Sequence, residues 1–140
     1  MLDEIEARVW QRVSGQTQAA DLPTLVHRSQ EAAACLRQLA GMCGPETRRK
    51  MQHLYKTAAA SANAMAGIAH MQGCTEQITA SAWPESGFRR ALAQAYRRSS
   101  RLWQDYTTQS HSGEYAQVYS TLSAREAQIS TELLELLGMR

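Results

Sequence analysis

Apolar residues recur at helical spacing in five blocks along this chain, with polar residues between them. The first block, over 2–14, carries Leu2, Ile5, Val9 and Val13 on one side with Trp10 beside them, and predicts a short amphipathic helix. SGQTQAA follows as a linker. Asp21-Leu22-Pro23 opens the next helix with a capping carboxylate and a proline in the first turn. Its stripe runs through Leu22, Leu25/Val26, Ser29, Ala32/Ala33, Leu36 and Leu39/Ala40, then stops in the glycines at 41 and 44. Pro45-Glu46 starts a third helix, striped as Met51, Leu54, Ala58, Ser61, Met65 and Ile68, in steps that alternate three and four. Gly73 closes it. After a connection over 73–84, the helix at 85–109 presents Phe88, Leu92, Ala95, Ser99, Leu102 and Tyr106. His111-Ser112-Gly113 makes a short turn. The last helix places Tyr115, Val118, Leu122, Glu126, Ile129, Leu133 and Leu136 on one side and ends at Gly138.

These blocks predict an all-α fold. Two tight helix hairpins, 21–72 and 85–138, are joined by a link that spans on the order of 40 Å when extended, enough to travel the length of a bundle. That order of short, long and short connections departs from a simple up-down-up-down bundle. At 140 residues the chain reads as a single domain, with 1–20 as an appended helix and linker.

Composition narrows the function only by exclusion. Net charge is +2, which gives no general case for nucleic acid or an anionic membrane as partner. No apolar run reaches membrane-spanning length, and MLDEIEARVWQRV is too acidic and too interrupted for a signal peptide, so a cytoplasmic location is expected. Cys35, Cys43 and Cys74 show no CxxC or Cys/His ligand spacing and are expected as free thiols.

Near mid-height, each of the four long stripes loses bulk or gains polarity: Ser29, then Ala58 with Ser61, then Ser99, then Glu126 with Ile129. The segments LRQLA, GPETRRKMQHLY and MAGI…MQG, and more closely FRRALAQAYRRSSRLWQDY, GEYAQVYSTLSAREAQ and LLELLG, resemble the bacterial ferritin-like, rubrerythrin-type four-helix bundles. The resemblance covers nearly the whole chain after residue 20, through patterns of moderate specificity. It implies that each half supplies one Glu from one helix and a Glu-x-x-His from the next, facing inward to hold two irons. Carried onto this sequence, the lone Glu positions are Ser29 and Ser99, and the Glu-x-x-His positions are Ala58/Ser61 and Glu126/Ile129. Only Glu126 keeps a ligating side chain. Carboxylates bridge and balance two iron ions while imidazoles complete their coordination, so one carboxylate is an insufficient set. These six positions read as a vestigial ligand set, and no metal or other cofactor is expected.

Neighbouring residues do not supply substitutes. Glu31 lies about 200° around its helix from Ser29, and Asp105 and Glu132 lie about 240° from ligand positions. His27, His53, His70 and His111 match none of these positions, and His27 with Glu31 reads as a surface pair. For Glu126, the alternatives are a hydrogen bond to Ser29, Ser61, Ser99 or water, pairing with an arginine reaching in from the fourth stripe's helix, or rotation into solvent. Tyr55, Tyr96, Trp103 and the methionines at 51, 65 and 71 are candidates to fill the volume vacated by ligands, unless a cavity remains. Arg89, Arg90, Arg97, Arg98 and Arg101 read as a solvated basic face, with Arg48, Arg49 and Lys50 on the preceding helix. The N-terminal helix is expected to pack on its own bundle, across a homodimer or against a protein partner. No Ser or Cys sits in a nucleophile elbow or beside a helix-matched His. The expected function is a non-catalytic interaction or structural bundle. The alternative is a metal-binding or redox protein using Glu126 with atypical ligands.

Overall fold

The structure, a computed structural model, describes residues 21–74 and 87–138. The expected N-terminal helix, its linker and most of the connection between the hairpins lie outside those residues. The described chain is all-α, with four helices: α1 (Leu22–Gly41), α2 (Pro45–Met71), α3 (Phe88–Gln109) and α4 (Ala116–Leu136). The predicted starts of α1 and α2 hold up locally, whereas α3, expected from 85, begins at Phe88 because Gly87 takes a left-handed φ of 95° just before it. The Asp21 carboxylate accepts the Thr24 amide at 2.9 Å, and α2 begins directly at Pro45. Gly73 ends α2 in the left-handed region at φ 78°, where the amides of Gly73 and Cys74 close onto His70 and Ala69 carbonyls.

Each helix packs on two neighbours. α1 lies against α2 and α3, and α4 lies against α3 and α2, which leaves α1–α4 and α2–α3 as the diagonals. Cross-helix partners give the directions. Between α1 and α3, Arg28 meets Asp105 while Glu31 meets Arg98, so the numbering rises on one helix as it falls on the other. Between α3 and α4, Arg89 reaches Leu137 and Thr107 reaches Ser123. Neighbouring helices are antiparallel.

Two apolar clusters fill the interior, one toward each end. One gathers Leu36, Leu39, Met51, Leu54, Leu92 and Leu133, with Phe88 against it. The other gathers Leu25, Met65, Ile68, Leu102, Tyr106 and Leu122, with Cys74 against it. α2 therefore finishes at one end of the bundle and α3 starts at the other. Among the described residues, Cys35, Cys43 and Cys74 form no disulfide. Among the described residues, no helix is long and apolar enough to cross a membrane.

Several expected core positions move. At the ends of α4, Tyr119 and Leu137 are buried in place of Val118, which is 39 % exposed, and Leu136. Each lies one residue along from the expected position: Tyr119 precedes Leu122 by three residues where Val118 precedes it by four, and Leu137 follows Leu133 by four where Leu136 follows it by three, both steps that a 3.6-residue turn permits. Met71 is 74 % exposed and Trp103 is 41 % exposed, so neither fills the core. Met51 and Met65 are fully buried, and Tyr55 and Tyr96 pack partly buried against the first cluster.

Candidate functional site

The division between the two apolar clusters is polar. On α2, α3 and α4, the buried residues that separate them are Ser61 with Ala62, then Ser99, then Glu126. On α1 the division follows Ala32, about one turn beyond Ser29. All six positions singled out in the sequence are buried: Ser29, Ala58, Ser61, Ser99, Glu126 and Ile129. Ala58 and Ile129 belong to the first apolar cluster. Each of the four helices thus closes a small or polar side chain into the interior near its middle.

Glu126 does not reach solvent; it is 1 % exposed. Ser99 Oγ donates to its carboxylate Oε2 at 2.6 Å and lies 3.3 Å from its backbone carbonyl, and Ser130 Oγ donates to Ser99 Oγ at 2.9 Å. Of the partners expected for this carboxylate, the structure selects the serine on α3, not an arginine. Burial pushes the carboxyl up to about 7, against a smaller downward pull from the Ser99 hydrogen bond. Ser29 turns its hydroxyl back onto the Val26 carbonyl at 2.8 Å. Among the described residues, Ser61 Oγ and the fully buried Tyr106 hydroxyl have no partner at hydrogen-bond geometry. Tyr106 is held far above its usual range, first by burial and then by the nearby Glu126 and Asp105 carboxylates; the Ser29 hydroxyl pulls slightly the other way. Ser29, Tyr106, Glu126 and Ser99 are therefore neighbours in the interior.

This donor set does not fit a di-iron centre. It offers one carboxylate, three hydroxyls and a phenol held protonated, and among the described residues no three His, Cys, Asp or Glu side chains come together. What the arrangement does chemically is raise the affinity of one buried carboxyl for its proton, with that carboxyl tied to a hydroxyl chain that runs through Ser99 to the half-buried Ser130.

Two polar links on the α1–α3 flank were missed in the sequence. Asp105 is not solvated; it is 9 % exposed and holds Arg28 Nη1 at 2.9 Å. Glu31 does pair with His27 Nε2 at 2.8 Å, and it also takes Arg98 from the facing helix. The His27–Glu31 contact is an i, i+4 signal that spacing reveals. Arg98 and Arg28 find their partners across helices, and only relative placement shows that. Comparison with protein-family models, curated proteins and solved structures finds no match to this chain.

Proposed function

We propose that this chain is a ferritin-like bundle with a vestigial metal site, acting through its surface as a non-catalytic interaction or structural protein. The observation that carries the reading is the buried sextet of Ser29, Ala58, Ser61, Ser99, Glu126 and Ile129. Helix adjacency supports the same lineage. Antiparallel neighbours, with α2 and α3 on a diagonal and their linked ends at opposite poles, suit two hairpins joined by a long crossover. A bundle built to hold iron needs several inward carboxylates and imidazoles. Here serine, alanine and isoleucine occupy five of those places, and the remaining carboxylate is satisfied by Ser99.

The competing reading is a metal-handling or redox protein using Glu126 with atypical ligands. Elemental analysis of protein expressed with iron and with manganese supplementation separates the two. Metal far below one ion per chain is the expected result. Iron or manganese bound stoichiometrically, and lost in Glu126→Ala, would overturn the proposal in favour of metal handling.

A further inference from the structure

The flank where α1 meets α3 is concave. A cleft of about 370 Å³ opens there, and four of its lining residues are arginines: Arg28, Arg97, Arg98 and Arg101. Uncharged Thr24 and Gln94 stand among them, with the His27–Glu31 pair on the α1 side. Two of the four guanidinium groups are held in place by carboxylates, Arg28 by Asp105 and Arg98 by Glu31. These pairs fix two cations at the wall.

Arg97 and Arg101 are different. Both are exposed, both line the cleft, and neither has an acidic partner among the described residues. They stand four residues apart on one helix, so their side chains share a face, and like charges at that spacing repel. Four guanidinium groups against two carboxylates leave the cleft positive, and a concave wall concentrates that field. A solvated basic face, the sequence expectation, accounts for exposed arginines on a convex surface. It does not account for their gathering around a cleft whose acids are already engaged.

Ligand chemistry follows from the donors. Guanidinium forks match the tetrahedral oxygens of phosphate in paired hydrogen bonds. The volume is larger than an inorganic anion needs and falls in the range of small-molecule sites. Gln94 and Thr24 can exchange hydrogen bonds with an uncharged polar portion. We propose that this cleft binds a small organic phosphate, its phosphoryl group between Arg97 and Arg101, with Arg28 and Arg98 braced behind it by Asp105 and Glu31. The proposal does not rest on the reading of the mid-bundle level; metal content tests the core, and this binding tests the flank.

A second basic hollow provides the control. Between α1 and α2, Arg37, Arg48 and Lys56 line a wider cleft, where Arg48 donates from Nε to the Ala40 carbonyl and from Nη2 to the Cys43 carbonyl. Calorimetric titration of the full chain in about 0.15 M salt, with glucose 6-phosphate and adenosine monophosphate as probes, tests the assignment. Glucose, adenosine and succinate serve as comparisons. Saturable binding of at least one phosphate is expected, without binding of glucose or adenosine. The double variant R97Q/R101Q should weaken it by about tenfold or more, since charge-assisted hydrogen bonds are lost. The charge-matched R37Q/K56Q should leave it within about twofold, since exposed charges away from a ligand act only through screened fields. Failure of both phosphates to bind, equal affinity for succinate, or an equal loss in R37Q/K56Q would overturn the proposal. Circular dichroism checks the fold of each variant, and single R97Q and R101Q substitutions, at exposed positions, provide the reading if the double variant unfolds.

Discussion

Burial and one short hydrogen bond pull the Glu126 carboxyl in opposite directions, and burial wins. Its folded value of about 7 lies above the ordinary 4.5, so the folded chain holds this proton over a pH range in which the unfolded chain has released it. Below the ordinary value the side chain is neutral in both states, and its full contribution to stability is present. As pH rises through the folded value, that contribution is lost, to an extent on the order of 3 kcal/mol. Glu126→Gln keeps the shape and an acceptor for Ser99 but cannot ionise. Urea midpoints should fall from about pH 5 to about pH 8 in the parent and much less in E126Q, which becomes the more stable protein at the upper end. Parallel pH curves for the two proteins would show that Glu126 does not titrate in this way. Ser61 offers a second test at this scale. Its hydroxyl is buried without a partner among the described residues, so Ser61→Ala should raise unfolding free energy by about 1 kcal/mol. A loss of stability on denaturation would reveal a hydrogen bond to that hydroxyl.

Between elements, the hairpin pairs and the α1–α3 contact differ in kind. Arg28–Asp105 and Arg98–Glu31 tie α1 to α3 with charge at the edge of the apolar interior. Asp105→Ala leaves Arg28 partly buried without its acid, and a loss of about 2 kcal/mol is expected in chemical denaturation. The pair R28M/D105L should recover most of that loss, because apolar groups of similar size replace a partly buried ion pair at little cost. No recovery would mean that packing, not the unpaired charge, causes the loss. Helix existence and the starts of α1 and α2 were legible in sequence because capping and apolar period are local: Asp21, Pro45 and Gly73 act on residues close along the chain. The ends of α4 were less so. Choosing Tyr119 over Val118 depends on which neighbour the helix meets: they stand three and four residues before Leu122, and period alone allows either step. The partners of Arg28 and Arg98 were not legible at all, since helix-to-helix register is absent from a one-dimensional pattern.

At the scale of the whole bundle, connection lengths carried the hairpin arrangement, and a dip in bulk at matching heights carried the buried level at Ser61, Ser99 and Glu126. The arginine-lined cleft was hidden for a physical reason. Charges along α3 can be counted from sequence, but a hollow exists only once α1 is laid against it. The polar level also has a mechanical consequence. A purely apolar four-helix interior is nearly indifferent to sliding, because leucine against leucine one turn along resembles leucine against leucine in place. Moving α4 by one turn, about 5.4 Å, would carry Glu126 off Ser99 and set a carboxyl against the side chains of Leu92 and Ala95 or of Leu102 and Tyr106. The hydrogen bond would be lost while the carboxyl stayed buried. Glu126 and Ser99 thus serve as an alignment mark, assigning one longitudinal position to helices whose remaining seams would tolerate several.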